Sequence, residues 1–261
     1  MQYGAGGTTA GATQKCRNRL PHTGAGWLYW SMGLAHHGCP VVGGRLRRVA
    51  IVMAGLLAGV LAKPAALAFL VFDTRIAQPG RLPDGWRVKV TRGTPEISVI
   101  SDSLGSVLHL KSQSSSFGLE RGVDVNPAEY PYLAWRWKVS KLPSNGDFRH
   151  ASTDDQAAQI LVAFEDRRIL TYIWDSHAPQ GTMESASAIP LVHIVAVVCR
   201  SGAAEMNQWV SEARNVANDY QKAYGRRPAP RVKGIRLQIN AQHTGATAES
   251  YFGDVAFRNT P

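Results

Sequence analysis

The sequence predicts an all-β protein, a jelly-roll-type β-sandwich that carries one short helix. From residue 69 onward, short apolar and aromatic runs alternate with clusters of Gly, Pro, Asn, Asp and Ser, and several runs show the period of two expected of half-buried strands. Only one segment has apolar residues at helical spacing, which is typical of a sandwich rather than of alternating strands and helices. The candidate strands are 86–91, 97–100, 107–111, 116–123, 132–140, 156–164, 169–175, 191–200, 209–214, 234–240 and 251–258.

The predicted helix spans residues 215–224. Val216, Tyr220 and Tyr224 follow one another one helical turn apart, so they share one face of the helix. Gly225 stands where a left-handed residue commonly ends a helix.

The N-terminal part of the chain has the three-part pattern of a secretory signal peptide. An uninterrupted run of small and apolar residues spans 49–62, and a small-x-small cleavage site ends at Ala68. The basic residues that precede the run are Arg45, Arg47 and Arg48. We therefore expect a signal peptide over 45–68, with cleavage after Ala68 and no membrane span in the mature chain. The alternative is an uncleaved anchor whose apolar stretch continues through 69–72.

Residues 1–44 lie upstream of a basic segment that should itself begin a signal peptide. They are glycine-rich and contain no acidic residue. We expect them to be a disordered extension, or to precede the true start of translation near Met32, Val41 or Val42. The remaining residues, 69–261, form one domain in this prediction.

Charge and cysteine content narrow the class of protein. The net charge of the chain is +10, and seven of its basic residues but none of its acidic ones lie in the first 68 residues. The predicted domain therefore carries a net charge of only +3. It has no basic cluster of the kind that binds nucleic acid. Cys199 is the one cysteine of the domain, so no disulfide can form within it. These features agree with a periplasmic or secreted bacterial protein.

Strand alternation predicts a shallow sheet face that a ligand could occupy. In 132–140, Trp135 and Trp137 lie on one apolar face, which we expect to pack in the core. The cations Arg136 and Lys138 lie on the opposite face. In 156–164 one face is wholly apolar, and the other carries mostly small side chains and the amide of Gln159. If the strands concerned are neighbours, the ligand face carries Arg136, Gln159, Tyr172, Trp174, Glu212 and Arg214.

Two residues are candidates for proton transfer. Glu212 lies two residues from Arg214 on one strand face, and such a carboxylate could act as an acid or base, or form a surface ion pair. His193 lies in an apolar strand, where a hydrogen-bonded core histidine is the alternative to a catalytic base. Asp154 and Asp155 are adjacent and point to opposite faces, so we expect a turn cap or a partner for Arg136 rather than a catalytic pair.

A series of short motifs, each weak alone, occurs in order between residues 84 and 257. The motifs are Trp135-Arg136-Trp137-Lys138-Val139, Asp154-Asp155 with Gln159, Tyr172-Ile173-Trp174, Gln208-Trp209, Glu212-x-Arg214-Asn215, Asp219-Tyr220, Tyr224-Gly225 and Phe252-Gly253-Asp254. With them the chain resembles domain-of-unknown-function family 3047. The resemblance implies an exported bacterial protein with a fold similar to galactose-binding-like domains and carbohydrate-binding modules, and it implies no activity.

The chain departs from that family before its last strand. The family usually has an acidic stretch there, and this sequence has Asn240 and Gln242 in place of two carboxylates. Calcium prefers charged oxygen ligands. We therefore expect no metal site, and no motif for another cofactor is present.

Three functions remain open on the sequence alone. The first is binding of a carbohydrate or cell-envelope glycan without catalysis. The second is a polysaccharide lyase or glycoside hydrolase that acts on an acidic polysaccharide, with Glu212 or His193 in proton transfer. The third is a structural envelope protein without a small ligand.

Overall fold

The computed structural model describes residues 67–186 and 192–261, which form a sandwich of two β-sheets. The predictions of an N-terminal extension over 1–44 and of a signal peptide lie outside the described residues, except at the last two positions of the leader. The first sheet contains β1 (Ala68–Phe72), β3 (Glu96–Asp102), β4 (Gly105–Gln113), β6 (Tyr132–Lys141), β11 (Val210–Asn215) and β13 (Thr247–Arg258). The second contains β2 (Arg87–Arg92), β5 (Ser116–Val125), β7 (Ala158–Phe164), β8 (Arg168–Asp175), β9 (Met183–Ser185), β10 (His193–Ser201) and β12 (Val232–Asn240).

Strands from distant parts of the chain are neighbours in both sheets. The first sheet has the order β11-β6-β13-β4-β3, with β1 also paired to β13, and the second has the order β2-β5-β12-β7-β8-β10-β9. Pairing is antiparallel except between β8 and β10. The prediction of an all-β, jelly-roll-type sandwich is confirmed.

Aromatic side chains from the two sheets meet in the core. Trp135 lies 5.3 Å from Tyr172 and Trp137 lies 5.9 Å from Trp174, measured between ring centroids. All four rings are buried, because alternation turns these positions of β6 and β8 toward the facing sheet. The predicted core role of Trp135 and Trp137 is confirmed.

The helix α1 (Val216–Tyr224) lies directly after β11. The Asn215 side chain caps its first turn by accepting a hydrogen bond from the backbone N–H of Asn218 at 2.9 Å. At the other end Gly225 adopts φ = 65°, the left-handed conformation that the sequence indicated. The predicted helix is confirmed to within one residue, and its buried side holds Val216, Asp219 and Tyr220.

Two strands were not predicted. β9 has only three residues, too few to show a period. β1 continues the apolar character of the predicted leader, yet it pairs with β13 from Ala68 opposite Arg258 to Phe72 opposite Val255. The predicted start of the domain at residue 69 therefore lies one residue inside β1. Within 67–186 and 192–261 no helix has the length and apolar character needed to cross a membrane.

Candidate functional site

Four of the six predicted ligand residues point into the sandwich. β11 pairs with β6 so that Glu212 lies opposite Trp135 and Arg214 opposite Leu133, both core residues, and this places Glu212 and Arg214 on the inner side of the first sheet. Tyr172 and Trp174 face them from the second sheet and are fully buried. A ligand on an outer sheet face cannot contact these side chains.

Polar groups at this edge of the sandwich form two paired sets, Arg200 with Glu205 and Glu212, and Asp219 with Tyr172 and Arg214, which we together call the inner cluster. Arg200 Nε donates to Glu212 Oε1 at 2.6 Å, and its Nη1 donates to Glu205 Oε2 at 2.8 Å. Burial raises the pKa of Glu212, while the Arg200 guanidinium opposes that rise. Burial also raises the pKa of Tyr172 far above its usual value, so this phenol stays neutral. The contacts of the inner cluster stabilise the edge of the sandwich.

The other two predicted residues lie on different outer faces. Arg136 is exposed on the outer side of the first sheet, whereas Gln159 lies on the outer side of the second. The prediction that all six side chains meet on one open face is therefore wrong. The physical reason is sheet membership, because β6 and β11 belong to one sheet and β7 and β8 to the other.

The two candidates for proton transfer lie far apart. Glu212 contacts Arg200 near the end of β10, and His193 is the first residue of that strand. Seven strand residues span about 23 Å, so the two groups cannot act on one substrate bond. His193 is exposed, so the alternative expectation of a core histidine is wrong.

The outer side of the second sheet carries an open depression that we call the outer groove. Its first part has a volume of about 290 Å³, close to the lower limit for small-ligand sites. Apolar floor residues come from three neighbouring strands, β7, β8 and β10. The residues that form its floor and walls include Phe148, Asp154, Gln156, Gln159, Leu161, Thr171, Ile173, Ala196, Arg236, Gln238, Asn240 and His243.

Three side-chain amides form a row across this floor. Gln238 Nε2 donates to Gln159 Oε1 at 3.3 Å, and Gln159 Nε2 donates to Gln156 Oε1 at 2.7 Å. The row continues to Asp154, whose Oδ1 accepts from Gln156 Nε2 at 2.9 Å. Beside it, the Thr171 hydroxyl has no hydrogen-bond partner among the described residues, although Thr171 is only 5% exposed. The floor therefore offers several polar groups in a fixed arrangement.

The outer groove continues into a second part of about 230 Å³. Leu161 and Arg236 line both parts, and the second part extends past Ala163. Gly122 and Gly234 lie opposite each other there, and a Cβ atom at Gly122 would have no neighbour within 4 Å. From Gln159 to Ala163 the floor runs about 13 Å along β7.

Buried carboxylates hold the loops at one end of the outer groove. Asp175 accepts hydrogen bonds from the backbone N–H groups of Phe148, His177 and Ala178 at 3.1, 2.8 and 2.7 Å. Burial raises the pKa of Asp175, and the three N–H groups oppose the rise. These contacts fix the loop that carries Phe148 against the floor.

Asp155 plays the same part for the segment after β12. It accepts from the backbone N–H groups of His243 and Thr244 at 3.0 and 2.7 Å. The expectation that Asp154-Asp155 includes a turn cap is confirmed. Asn240 Nδ2 donates to the Asp154 carbonyl at 2.6 Å, so this amide holds the loop.

Sequence reasoning missed Gln156, Gln238 and Asn240 as groove residues. The alternation of β12 shows that Gln238 and Asn240 share a face, since Leu237 and Ile239 point to the core. The missing information was the pairing of β12 with β7, which sets Gln238 opposite Gln159.

The outer side of the first sheet carries a row of packed side chains. Lys138 Nζ lies over the rings of Trp209 and Tyr251, 4.9 and 4.4 Å from their centroids. The Tyr251 ring stacks on His109 at 4.5 Å. Asp102 accepts from both Lys138 and Trp209, so the row is paired internally. Within the part of the chain that the structure describes, no group of three or more potential ligand residues could hold a metal ion.

The fold is similar to those of carbohydrate-binding modules and glycoside hydrolases. Family 12 endoglucanase 3 of Trichoderma harzianum aligns at 10% identity over 76% of this chain and 100% of that chain, with a TM-score of 0.43. The family 11 carbohydrate-binding module of Clostridium thermocellum, solved with a β-1,3-1,4-mixed-linked tetrasaccharide, aligns at 10% identity over 73% and 94%, with a TM-score of 0.40. The xyloglucanase domain of NopAA from Sinorhizobium fredii, solved with cellobiose, aligns at 8% identity over 68% and 94%, with a TM-score of 0.44.

The sequence itself identifies the family. The model for the protein family of unknown function DUF3047 matches residues 84–256, and the chain belongs to that family. The resemblance stated from the sequence motifs is confirmed. A search of curated proteins finds no match.

Proposed function

We propose that this protein is an exported glycan-binding protein that holds an extended saccharide in the outer groove. The observation that carries the proposal is the polar floor of the groove. The amides of Gln156, Gln159 and Gln238 lie in one row, and all three residues line the groove.

This floor matches the chemistry of sugars. A sugar hydroxyl both donates and accepts, and a side-chain amide offers both functions in a fixed plane. The half-buried side chain of Leu161 lines the groove and can contact the C–H face of a pyranose ring. A small number of placed polar groups on an apolar floor is the usual composition of a ligand site.

Binding without hydrolysis is favoured by the placement of the groove carboxylates. Asp154 lines the first part of the groove and Glu120 the second. Asn240 contacts the Asp154 backbone, and Glu120 pairs with Arg236, four residues earlier in β12. The positions of Arg236 and Asn240, beside which the two acids lie, are about 13 Å apart along β12. The two carboxyl groups of a glycosidase lie roughly 5–10 Å apart.

Export is part of the proposal and is supported by the leader pattern at 45–68. Cleavage after Ala68 would leave residues 69–72 of β1 in place, including the buried Val71 and Phe72. Expression of the full chain in a bacterial host, followed by mass measurement of the periplasmic protein, tests it. We expect a mature chain that begins at Phe69, and retention of the full-length chain in the cytoplasm would contradict this.

Binding is tested with a glycan array followed by titration calorimetry on the best oligosaccharide. The double variant Gln159→Leu with Gln238→Leu removes two amides of the row, and we expect its affinity to fall at least tenfold because their hydroxyl partners lose about 1.4 kcal/mol or more.

The matched control is Gln78→Leu, the same change at an exposed position outside the groove. It should bind as the unchanged protein does. Equal affinities for the double variant and the unchanged protein, or no binding to any glycan on the array, would contradict the proposal.

A further inference from the structure

The middle of the outer groove is occupied by an ion pair. Arg236 lines both parts of the groove, and β12 pairs with β5 so that Arg236 lies directly opposite Glu120. Arg236 Nη2 donates to Glu120 Oε2 at 2.7 Å, and its Nη1 lies 3.4 Å from Gln238 Oε1. The guanidinium is thus joined to an acid on one side and to the amide row on the other.

The other cations around the second part also have acceptors. Arg87 lies 3.6 Å from the second oxygen of Glu120, and Lys233 contacts Asp124 at 2.9 Å. Arg121 donates to the Val71 carbonyl at 2.6 Å. Each basic side chain that lines this part of the groove therefore has an oxygen partner from the protein itself.

This pairing decides what kind of saccharide the floor favours. A sugar carboxylate bound at the middle of the groove would have to displace Glu120 from Arg236, or lie beside that carboxylate at a cost in repulsion. A hydroxyl makes no such demand, and the amide row offers it donors and acceptors. The glycan chemistry that fits is uncharged.

We propose that the outer groove selects uncharged saccharides and that Glu120 is the residue that excludes acidic ones. This inference rests on the proposed glycan binding and specifies its substrate class. It makes Glu120 a specificity-determining residue that acts by occupying Arg236. The acidic polysaccharide considered from the sequence alone is the class that the groove rejects.

The test compares pairs of oligosaccharides that differ only in oxidation of the C6 alcohol to a carboxylate. Titration calorimetry with the full mature chain should give at least tenfold weaker binding of the carboxylated member. Glu120→Gln keeps the shape of the side chain and frees Arg236, so we expect it to raise the ratio of affinities, carboxylated member over neutral member, at least fivefold.

Glu129→Gln is the matched control, because it makes the same change in net charge outside the groove, where Glu129 accepts from Asn126. It should leave the discrimination unchanged. A second variant, Glu120→Gln with Arg236→Gln, should lose the gain for the carboxylated member, because the freed guanidinium is gone.

The two failures are distinguishable. Equal or tighter binding of carboxylated members by the unchanged protein overturns the specificity inference and leaves glycan binding intact. The specificity inference is also overturned if Glu120→Gln, like Glu129→Gln, leaves the discrimination between neutral and carboxylated members unchanged. Absence of binding to both members of every pair overturns the proposed function and this inference with it.

Discussion

Arg214 and Asp219 form a two-point ion pair where β11 passes into α1. Arg214 Nε and Nη2 donate to the two carboxylate oxygens of Asp219 at 3.0 and 2.9 Å, and Tyr172 Oη donates to the same carboxylate at 3.1 Å. Asp219 is 3% exposed. The pair links the helix to β11 and, through Tyr172, to the facing sheet, so three elements depend on one carboxylate.

Asp219→Asn should destabilise the protein by about 2–3 kcal/mol, because it leaves the half-buried Arg214 charge without its buried partner. Urea unfolding followed by tryptophan fluorescence measures the change. The control is Asp124→Asn, which removes an exposed carboxylate paired with Arg231 and Lys233 and should shift the midpoint much less. Equal shifts for the two variants would contradict the structural role of Asp219.

The two core tryptophans Trp137 and Trp174 should respond differently to replacement by Phe. Trp174 Nε1 donates to the Gly202 carbonyl at 3.0 Å, whereas Trp137 Nε1 is buried with no partner among the described residues. Trp174→Phe leaves a carbonyl unsatisfied and Trp137→Phe removes an unsatisfied donor. We expect Trp174→Phe to cost about 1 kcal/mol more in the free energy of unfolding, as chemical denaturation would show. A larger cost for Trp137→Phe would be the opposite result.

Asp102 should make stability depend on acid pH. Burial raises the pKa of Asp102, but hydrogen bonds from Lys138, Ser103 and Trp209 outweigh burial and hold it well below the usual range. An acid whose folded-state pKa is lowered stabilises the fold above its unfolded pKa, near 4, and loses that contribution as the pH falls toward the folded value.

Asp102→Asn should therefore cost about 1–2 kcal/mol at pH 7 and less at pH 3. Urea titrations at the two pH values give the difference. Asp84→Asn, at an exposed carboxylate, is the control. A difference between Asp102→Asn and the unchanged protein that grows on acidification would contradict the assigned contacts.

Gly122→Trp should block the second part of the outer groove without unfolding the sheet. A Cβ at this position meets nothing within 4 Å, and an aromatic residue suits a strand better than glycine does. We expect at least tenfold weaker binding of long oligosaccharides and an unchanged thermal midpoint. Ser211→Trp, an exposed strand position in the first sheet, should bind normally. Normal binding by both variants would show that the saccharide does not extend over Gly122.

The alternation of side chains could be predicted strand by strand, and the relation between strands could not. Trp135 and Trp137 are in the core and Gln159 is on a shallow outer face, as the period of two indicated. Alternation defines two faces of a strand without naming its neighbours. Glu212 and Arg214 were therefore placed on the side of Gln159, although β11 joins β6 in the other sheet.

The amide row also depends on strand pairing, which the alternation of side chains does not predict. Gln159 and Gln238 are 79 positions apart in the chain, and only the antiparallel register of β7 and β12 sets them side by side. The Asp175 contacts that hold Phe148 are of this kind as well, since they join two loops. Local cues such as the Gly225 cap could be read directly, because cap and helix are adjacent in sequence.

The pairing of β1 with β13 brings the two ends of the described domain together. Phe69, the first residue of the proposed mature chain, lies opposite Phe257, four positions before the last residue Pro261. This pairing belongs to the first sheet, whereas the outer groove belongs to the second. A short peptide could therefore join the ends in a circular permutant, with new termini opened at a surface loop, and the groove would be carried over intact.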